Sequence, residues 1–409
     1  MRRIISILIN VLSMVNSESA TEGDINQLQS ALQESANYMS KYAKNEDVTI
    51  CIGEPRAGKS TLVNYLIGTK LKAVNYNKYD PNLIEKEDEK SLGPNIGHGT
   101  LSTTTIPTRW ESKVYKDLIL WDVAGFADNR GPIQDITNAF YIYQLIRFVK
   151  SVKIILVVDV LDILQDNPVK FTSVLRALEN LFGMGLRNYY SSMAVIFSKG
   201  EKTVLNSIPL DTKFITEKLK YQYLSDSGLA MSKITKGFIE YLTKHTNQIG
   251  LFMRADAIGE VTSNIDVNIS QAISNCKSIQ NKELLNLRPS ISENSKIYLN
   301  EFREKLSLTT SFDKLQKDIR NILKNIASEK NYYFRRRELR RLQAQLSIWK
   351  DNGLLNDCNL QLIIIRNSYA EIRRIIGTTN LLNTENLIEF LNELLGYGTS
   401  LHLCNHNEK

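Results

Sequence analysis

The stretch VTICIGEPRAGKSTLVNYLIG, residues 48–68, constrains this chain more than any other. Val48, Thr49, Ile50 and Ile52 are β-branched and favour an extended backbone. Gly53, Pro55 and Gly58 then break the run, and Leu62, Val63, Leu66 and Ile67 recur at helical spacing. A strand, a tight loop and a helix therefore follow one another with nothing between them.

The loop Gly53-Glu54-Pro55-Arg56-Ala57-Gly58-Lys59-Ser60 is a full match to the pattern of glycines and a terminal Lys-Ser that cradles phosphate groups. Glycines let the backbone turn so that successive N–H groups point at one anion. The helix that follows presents its positive end, including the Thr61 backbone, to the same place. Lys59 has the reach to meet outer phosphates, and the Ser60 hydroxyl is a hard oxygen ligand suited to Mg²⁺. Glu54, Pro55, Arg56 and Ala57 supply the remaining backbone of the cradle.

Further along, continuous apolar runs recur at 117–123, 152–160, 192–198 and 249–254. Helical patterns near 134–150, 167–182 and 212–246 lie between them. Continuous apolar strands alternating with helices predict a parallel sheet covered on both faces, an α/β architecture. The segment 106–115 reads as an edge strand, antiparallel to the run after it. Residues 24–44 form an amphipathic helix on Ile25, Leu28, Leu32, Ala36 and Met39. Between 70 and 100 lies an acidic, lysine-rich stretch that reads as a mobile loop, ordering when a nucleotide or partner binds.

At the carboxyl end of the second run stands Asp122-Val-Ala-Gly125, where ligands of open parallel sheets gather. Together with the loop and their spacing, this Asp-x-x-Gly resembles the GTPases of the Ras-like and dynamin-like superfamily over roughly residues 47–258. The resemblance implies a G domain binding GTP and GDP with Mg²⁺. Asp122 would hold the metal through a water, Gly125 would contact the outermost phosphate, and a switch threonine would complete the metal shell. Thr104 best matches the dynamin-like spacing, with Thr103 and Thr105 as rivals. For the base, the resemblance points to Ser198-Lys199-Gly200-Glu201, Lys199 packing along the ring and Glu201 accepting its N1 and N2 hydrogens. Glu201 is a methylene longer than the aspartate of the family, which keeps adenine open as the base. The segment from 128 to 158 is also similar to protist proteins assigned as P-loop GTPase-like, and it places Asp128, Asn129 and Arg130 in a second switch.

Two departures bear on catalysis. Where Ras-like enzymes position water with glutamine, this chain has Phe126. Arg56 holds the fourth loop position as in guanylate-binding proteins and atlastins, a resemblance that implies an arginine finger engaged when two G domains pair. A solvent-facing arginine is the alternative. The expected function is a molecular switch with slow or dimer-stimulated hydrolysis, in which Arg56 and Thr104 act on the transferring phosphoryl group. The rivals are a scaffold gated by nucleotide with little turnover, a dynamin-like membrane-associated GTPase, and an ATPase.

After Pro289 the chain of 409 residues carries no proline. Apolar residues follow a 3-4-3-4 spacing at Phe312, Leu315, Ile319, Ile322 and Ile326, again at Leu339, Leu342, Leu346 and Trp349, and at Ile365, Tyr369, Ile372 and Ile376. This coiled-coil-like pattern predicts a helical bundle or hairpin over 259–409, with a face for a protein partner. Residues 1–46 hold a basic, apolar start (Arg2, Arg3, then Ile4 to Leu12) that reads as a weak signal peptide, a short membrane-surface helix, or an upstream extension with Met14 the working start, and is too interrupted to span a bilayer. The arginines of 332–346 read as a solvated helix face, next as a lipid-headgroup contact, and no nucleic-acid fold signature accompanies them. A net charge of +7 is mild at this length and argues for neither partner. Four scattered cysteines point to a reducing compartment, with the cytoplasm as the expected location. His402, Cys404 and His406 alternate in a tail that reads as a solvated terminus rather than a metal site.

Overall fold

The computed structural model describes residues 22–97, 104–126, 130–165, 168–204, 207–225, 229, 231–280, 288, 290–298 and 337. The apolar start, Thr103, Asp128, Asn129, the helical patterns beyond 298, the basic run apart from Arg337, and the tail histidines lie outside these residues. The chain divides into two compact units, one of residues 38–292 and one combining 1–37 with 293–409. Helix α1 (Glu22–Tyr42) buries Leu28, Leu32, Ala36 and Met39, as its apolar period requires.

The larger unit is built on a mixed sheet whose central strands are parallel. Strand β1 (Asp47–Gly53) leads through the loop into α2 (Lys59–Ile67). A hairpin follows, β2 (Leu71–Val74) with β3 (Leu83–Lys86), and then β4 (Thr108–Glu111) and β5 (Ile119–Asp122). Helix α3 (Pro132–Phe148) precedes β6 (Ser151–Asp159), and α4 (Leu161–Leu164) and α5 (Val169–Phe182) precede β7 (Met193–Gly200). Two short strands, β8 (Thr203–Val204) and β9 (Ile208–Pro209), pair with each other before α6 (Thr212–Leu219) and α7 (Lys233–Lys244). Strand β10 (Ile249–Met253) is followed by β11 (Gly259–Glu260), β12 (Asp266–Val267), α8 (Ile269–Ser274) and β13 (Ile279–Gln280).

The strand order is β12-β10-β7-β6-β1-β5-β4. β10, β7, β6, β1 and β5 run parallel, while β4 pairs β5, and β12 pairs β10, antiparallel. The central strands β6 and β7 are almost continuously buried, which is why they appear in the sequence as unbroken apolar runs rather than alternating ones. The parallel strands all point their carboxyl ends to one edge, and the loop 53–60 opens there.

Three expectations are corrected. The stretch from 70 to 100 is not a featureless loop over its described residues: β2 and β3 form a hairpin, and β11 pairs with β2. Buried Lys86 donates to the carbonyls of Ser91 and Gly93 at 3.1 and 2.8 Å, which folds the segment after β3 back onto the hairpin. The helical region expected over 212–246 is two α-helices, and a π-helical segment (Lys220–Leu224) continues the first of them. Finally, the helical domain expected from 259 does not begin there. Strand β12 extends the sheet beside β10, and β13 pairs β6 at Val152 and Ser151. Strands of two residues carry no legible period, so only pairing reveals them.

Candidate functional site

Gly53 has φ +150 and a Cβ there would lie 2.2 Å from the Val157 carbonyl oxygen. Only glycine lets β1 turn away at this point so close to β6. The loop returns to α2 with the Lys59 ammonium inside its curve, donating to the carbonyls of Glu54 at 2.7 Å and Gly53 at 3.3 Å. Lys59 is buried, so the loop and its lysine form one preformed unit. Arg56, exposed and at φ +67, stands at the rim.

Three side chains from distant parts of the chain meet beside the loop. The Ser60 hydroxyl donates to Asp122 Oδ2 at 2.9 Å, and Thr104 donates to the same oxygen at 3.1 Å. The two hydroxyl oxygens are 3.4 Å apart. Asp122 is fully buried; burial pushes its carboxyl above the ordinary value, opposed by Lys59 and by the hydrogen bonds from Ser60 and Thr104. Its other oxygen, Oδ1, is buried with no hydrogen-bond partner. This set of two hydroxyls and a carboxylate, with one acceptor left over, fits a divalent cation and its water, since all the donors are hard oxygens. Ser60 and Thr104 would touch the ion and Asp122 would lie behind them. Of the rival threonines, Thr105 is exposed. Arg130 donates to the Thr104 carbonyl at 2.8 Å, tying the start of α3 to that threonine.

Gly125 crosses directly over the loop. A Cβ on it would meet Pro55 N at 2.5 Å and the Glu54 carbonyl carbon at 2.8 Å. The next residue, Phe126, is buried and its N–H donates to the Gly53 carbonyl at 3.1 Å. Its ring offers no group to orient water.

A cleft of about 190 Å³ extends from the loop along the strand ends. Arg56, Gly58, Lys59, Ser60, Thr61 and Thr104 line it from the loop side with Ser198 beside them, and Lys199, Phe252, Met253 and Arg254 line it at the ends of β7 and β10. Asn82, Leu83 and Ile84 from the hairpin form its outer wall. Ser198 is fully buried and its hydroxyl donates to the Ala57 carbonyl at 2.6 Å, fastening the loop to the end of β7. Lys199, at φ +59, pairs with Asp159 at 2.7 Å. Glu201 is exposed and lies outside the lining of this cleft; it borders an adjoining depression that Lys199 and Arg254 line as well, with Val204 and Ser207. The structure thus brings together the loop, Thr104, Asp122, Gly125 and Lys199, and sets Glu201 beside Lys199 and Arg254 in the adjoining depression.

Two contributors carried no signal of their own in the sequence, the hairpin wall and Arg254, and Ser198, part of the expected base motif, has the unforeseen task of clamping the loop. Arg254 follows a strand and belongs to no motif. Among the described residues no group of three or more His, Cys, Asp or Glu side chains is placed to hold a metal. No helix among them is long and apolar enough to cross a membrane.

Strand order and loop together define an α/β fold with a mostly parallel sheet and a phosphate-loop geometry at its carboxyl edge. No protein-family model matches the chain, and no curated protein matches its sequence. Among solved structures, a mutant of S. thermophilus NFeoB bound to GMPPNP is 13% identical, covering 86% of this chain and 98% of that chain at a TM-score of 0.28. Another mutant of that protein, bound to GDP.AlF4-, is 13% identical with 86% and 99% coverage and a TM-score of 0.27. NFeoB bound to GDP.AlF4- and K+ is 15% identical, covering 50% of this chain and 90% of that chain, at 0.21. A likeness this weak decides nothing about the fold, which rests on strand order and the loop.

Proposed function

We propose that this chain binds a guanine nucleoside triphosphate with Mg²⁺ at the loop 53–60 and works as a nucleotide-dependent switch with slow or pairing-stimulated hydrolysis. The observation that carries the reading is the convergence of Ser60, Thr104 and Asp122 beside a loop already closed around Lys59. Such a set has little use without an anion for the loop and a cation for the oxygens. When bound, the ion would offset charge on the phosphates. The chain's own part is to hold the phosphates with loop N–H groups and Lys59, and to tie Thr104 to Arg130. Loss of the outermost phosphate would release Thr104 and Gly125, the two segments that approach the loop from outside. Its exposure at the rim supports giving Arg56 the task of meeting a second copy's phosphates or its own.

Titration with fluorescently labelled GTP, GDP and ATP tests this, comparing the wild type with Lys59→Ala in the presence of Mg²⁺. Tight Mg²⁺-dependent binding that is lost in Lys59→Ala supports the reading; absence of binding to any of the three refutes it. A second reading, a nucleotide-gated scaffold with little turnover, is favoured by buried Phe126 standing where a water-orienting side chain is expected. Turnover per molecule measured at rising protein concentration separates the two. A pairing enzyme accelerates and a scaffold stays flat.

A further inference from the structure

We propose that Arg254 sets the base preference of the cleft by donating to the adjacent acceptors O6 and N7 of guanine, a role that rests on the nucleotide reading above. The sequence motif points instead to Glu201 reading N1 and N2. That carboxylate stands beside the cleft rather than in it. Glu201 is exposed and, with Lys199 and Arg254, lines an adjoining depression, while among the described residues no carboxylate lines the cleft itself.

Arg254 is the first residue after β10 and is half-buried in the cleft lining at that strand's end. Its backbone N–H donates to the Gly200 carbonyl at 2.7 Å and its Nε to the Lys199 carbonyl at 3.1 Å. These two bonds fix the base of the side chain and use Nε, leaving the fork of terminal nitrogens as the donor group at this end. Lys199, its cationic neighbour, is already held by Asp159. A guanidinium has only donors. Guanine presents two neighbouring acceptors, O6 and N7, to such a fork. Adenine sets its N6 amino donor beside N7, so donor would face donor. Phe252 and Met253 on the strand side and Leu83 and Ile84 on the hairpin side give this region apolar surface beside the polar Asn82 and Lys199, and apolar surface strengthens a hydrogen bond made against it. The hairpin wall is pinned next to Arg254, because Asn82 donates to the Ala255 carbonyl at 3.0 Å.

The test is competition by base analogues on the full chain with Mg²⁺, using GTP, inosine triphosphate, 7-deaza-GTP and ATP. Inosine triphosphate lacks only the 2-amino group and keeps O6 and N7; 7-deaza-GTP keeps O6 and loses N7. Inosine triphosphate is expected to compete within about twofold of GTP, and 7-deaza-GTP about fivefold or more weakly. Arg254→Ala is expected to bring GTP and 7-deaza-GTP together and to lower the preference for GTP over ATP by about tenfold. Arg254→Ala also loosens the Lys199 turn, so the wild-type analogue ratios, which need no variant, carry the test by themselves. The proposal is overturned if inosine triphosphate is the weak competitor, 7-deaza-GTP equals GTP, and Glu201→Ala removes the gap. It also falls if GTP and ATP bind equally to the wild type, an outcome that leaves the phosphate loop reading standing. Failure of every nucleotide to bind removes the nucleotide reading itself and this proposal with it.

Discussion

Ser198→Ala removes a single oxygen from a fully buried position and creates almost no cavity. That oxygen donates at 2.6 Å to the Ala57 carbonyl, with a longer contact of 3.2 Å to the Val158 carbonyl. The Cβ stays, and it faces the place where a side chain on Gly58 would lie, at 3.7 Å. The loss is therefore that of a hydrogen bond to a buried backbone acceptor, about 1–2 kcal/mol. For a unit of roughly this size such a loss lowers Tm by about 2–8 °C. Urea denaturation of the full chain without nucleotide measures it, and the midpoint should fall with an unchanged slope. Because the bond fastens the loop to the end of β7, nucleotide affinity should fall as well, in both GTP and GDP, since the loop serves phosphates common to both. An unchanged urea midpoint would refute the argument, showing that the Ala57 carbonyl finds another partner. A normal midpoint with lost affinity would refute it too, since the two effects share one cause.

Gly125→Ala pushes a methyl group against Pro55 and Glu54 at distances no real contact tolerates, so the segment after β5 must lift from the loop. Triphosphate affinity is expected to fall about tenfold more than diphosphate affinity, as for a lost group met only by the outermost phosphate; equal losses in calorimetric titrations would sink the idea. Arg56→Gly relieves a left-handed residue, worth about 1 kcal/mol of stability, while concentration-stimulated turnover is expected to drop; a turnover equal to wild type would show that the arginine plays no part. Burial pushes the Cys51 thiol far above its ordinary value and that of Cys276 to about 11. In a Cys358→Ser, Cys404→Ser background, thiol reagent at about pH 8 should therefore label nothing until urea unfolds the chain, and rapid labelling of the native protein would contradict the burial of both.

The helices and long strands are legible in the sequence because each is encoded locally. The expected run 152–160 is the strand Ser151–Asp159, and 192–198 is Met193–Gly200. The antiparallel edge expected at 106–115 is β4 beside β5. The hairpin of 71–86 is hidden because Tyr76, Asn77, Lys78, Tyr79 and Asp80 make its connection polar, and charged residues at its edges obscure the alternation. Strands β12 and β13 are hidden because two residues hold no period at all.

By itself the sequence determined the phosphate loop, since glycines, lysine and serine must be adjacent in the chain to make one, and the alternation of buried strands with helices that follows it. Tertiary structure alone decided what stands around the loop. Thr104 and Asp122 reach Ser60 across 44 and 62 residues, Asp159 claims Lys199 across 40, and Arg254 arrives beside it across 55. Such meetings depend on which strands lie side by side and on how far each extends, and local residue preferences contain neither; hence Arg254, distant in the chain, lines the cleft with Lys199.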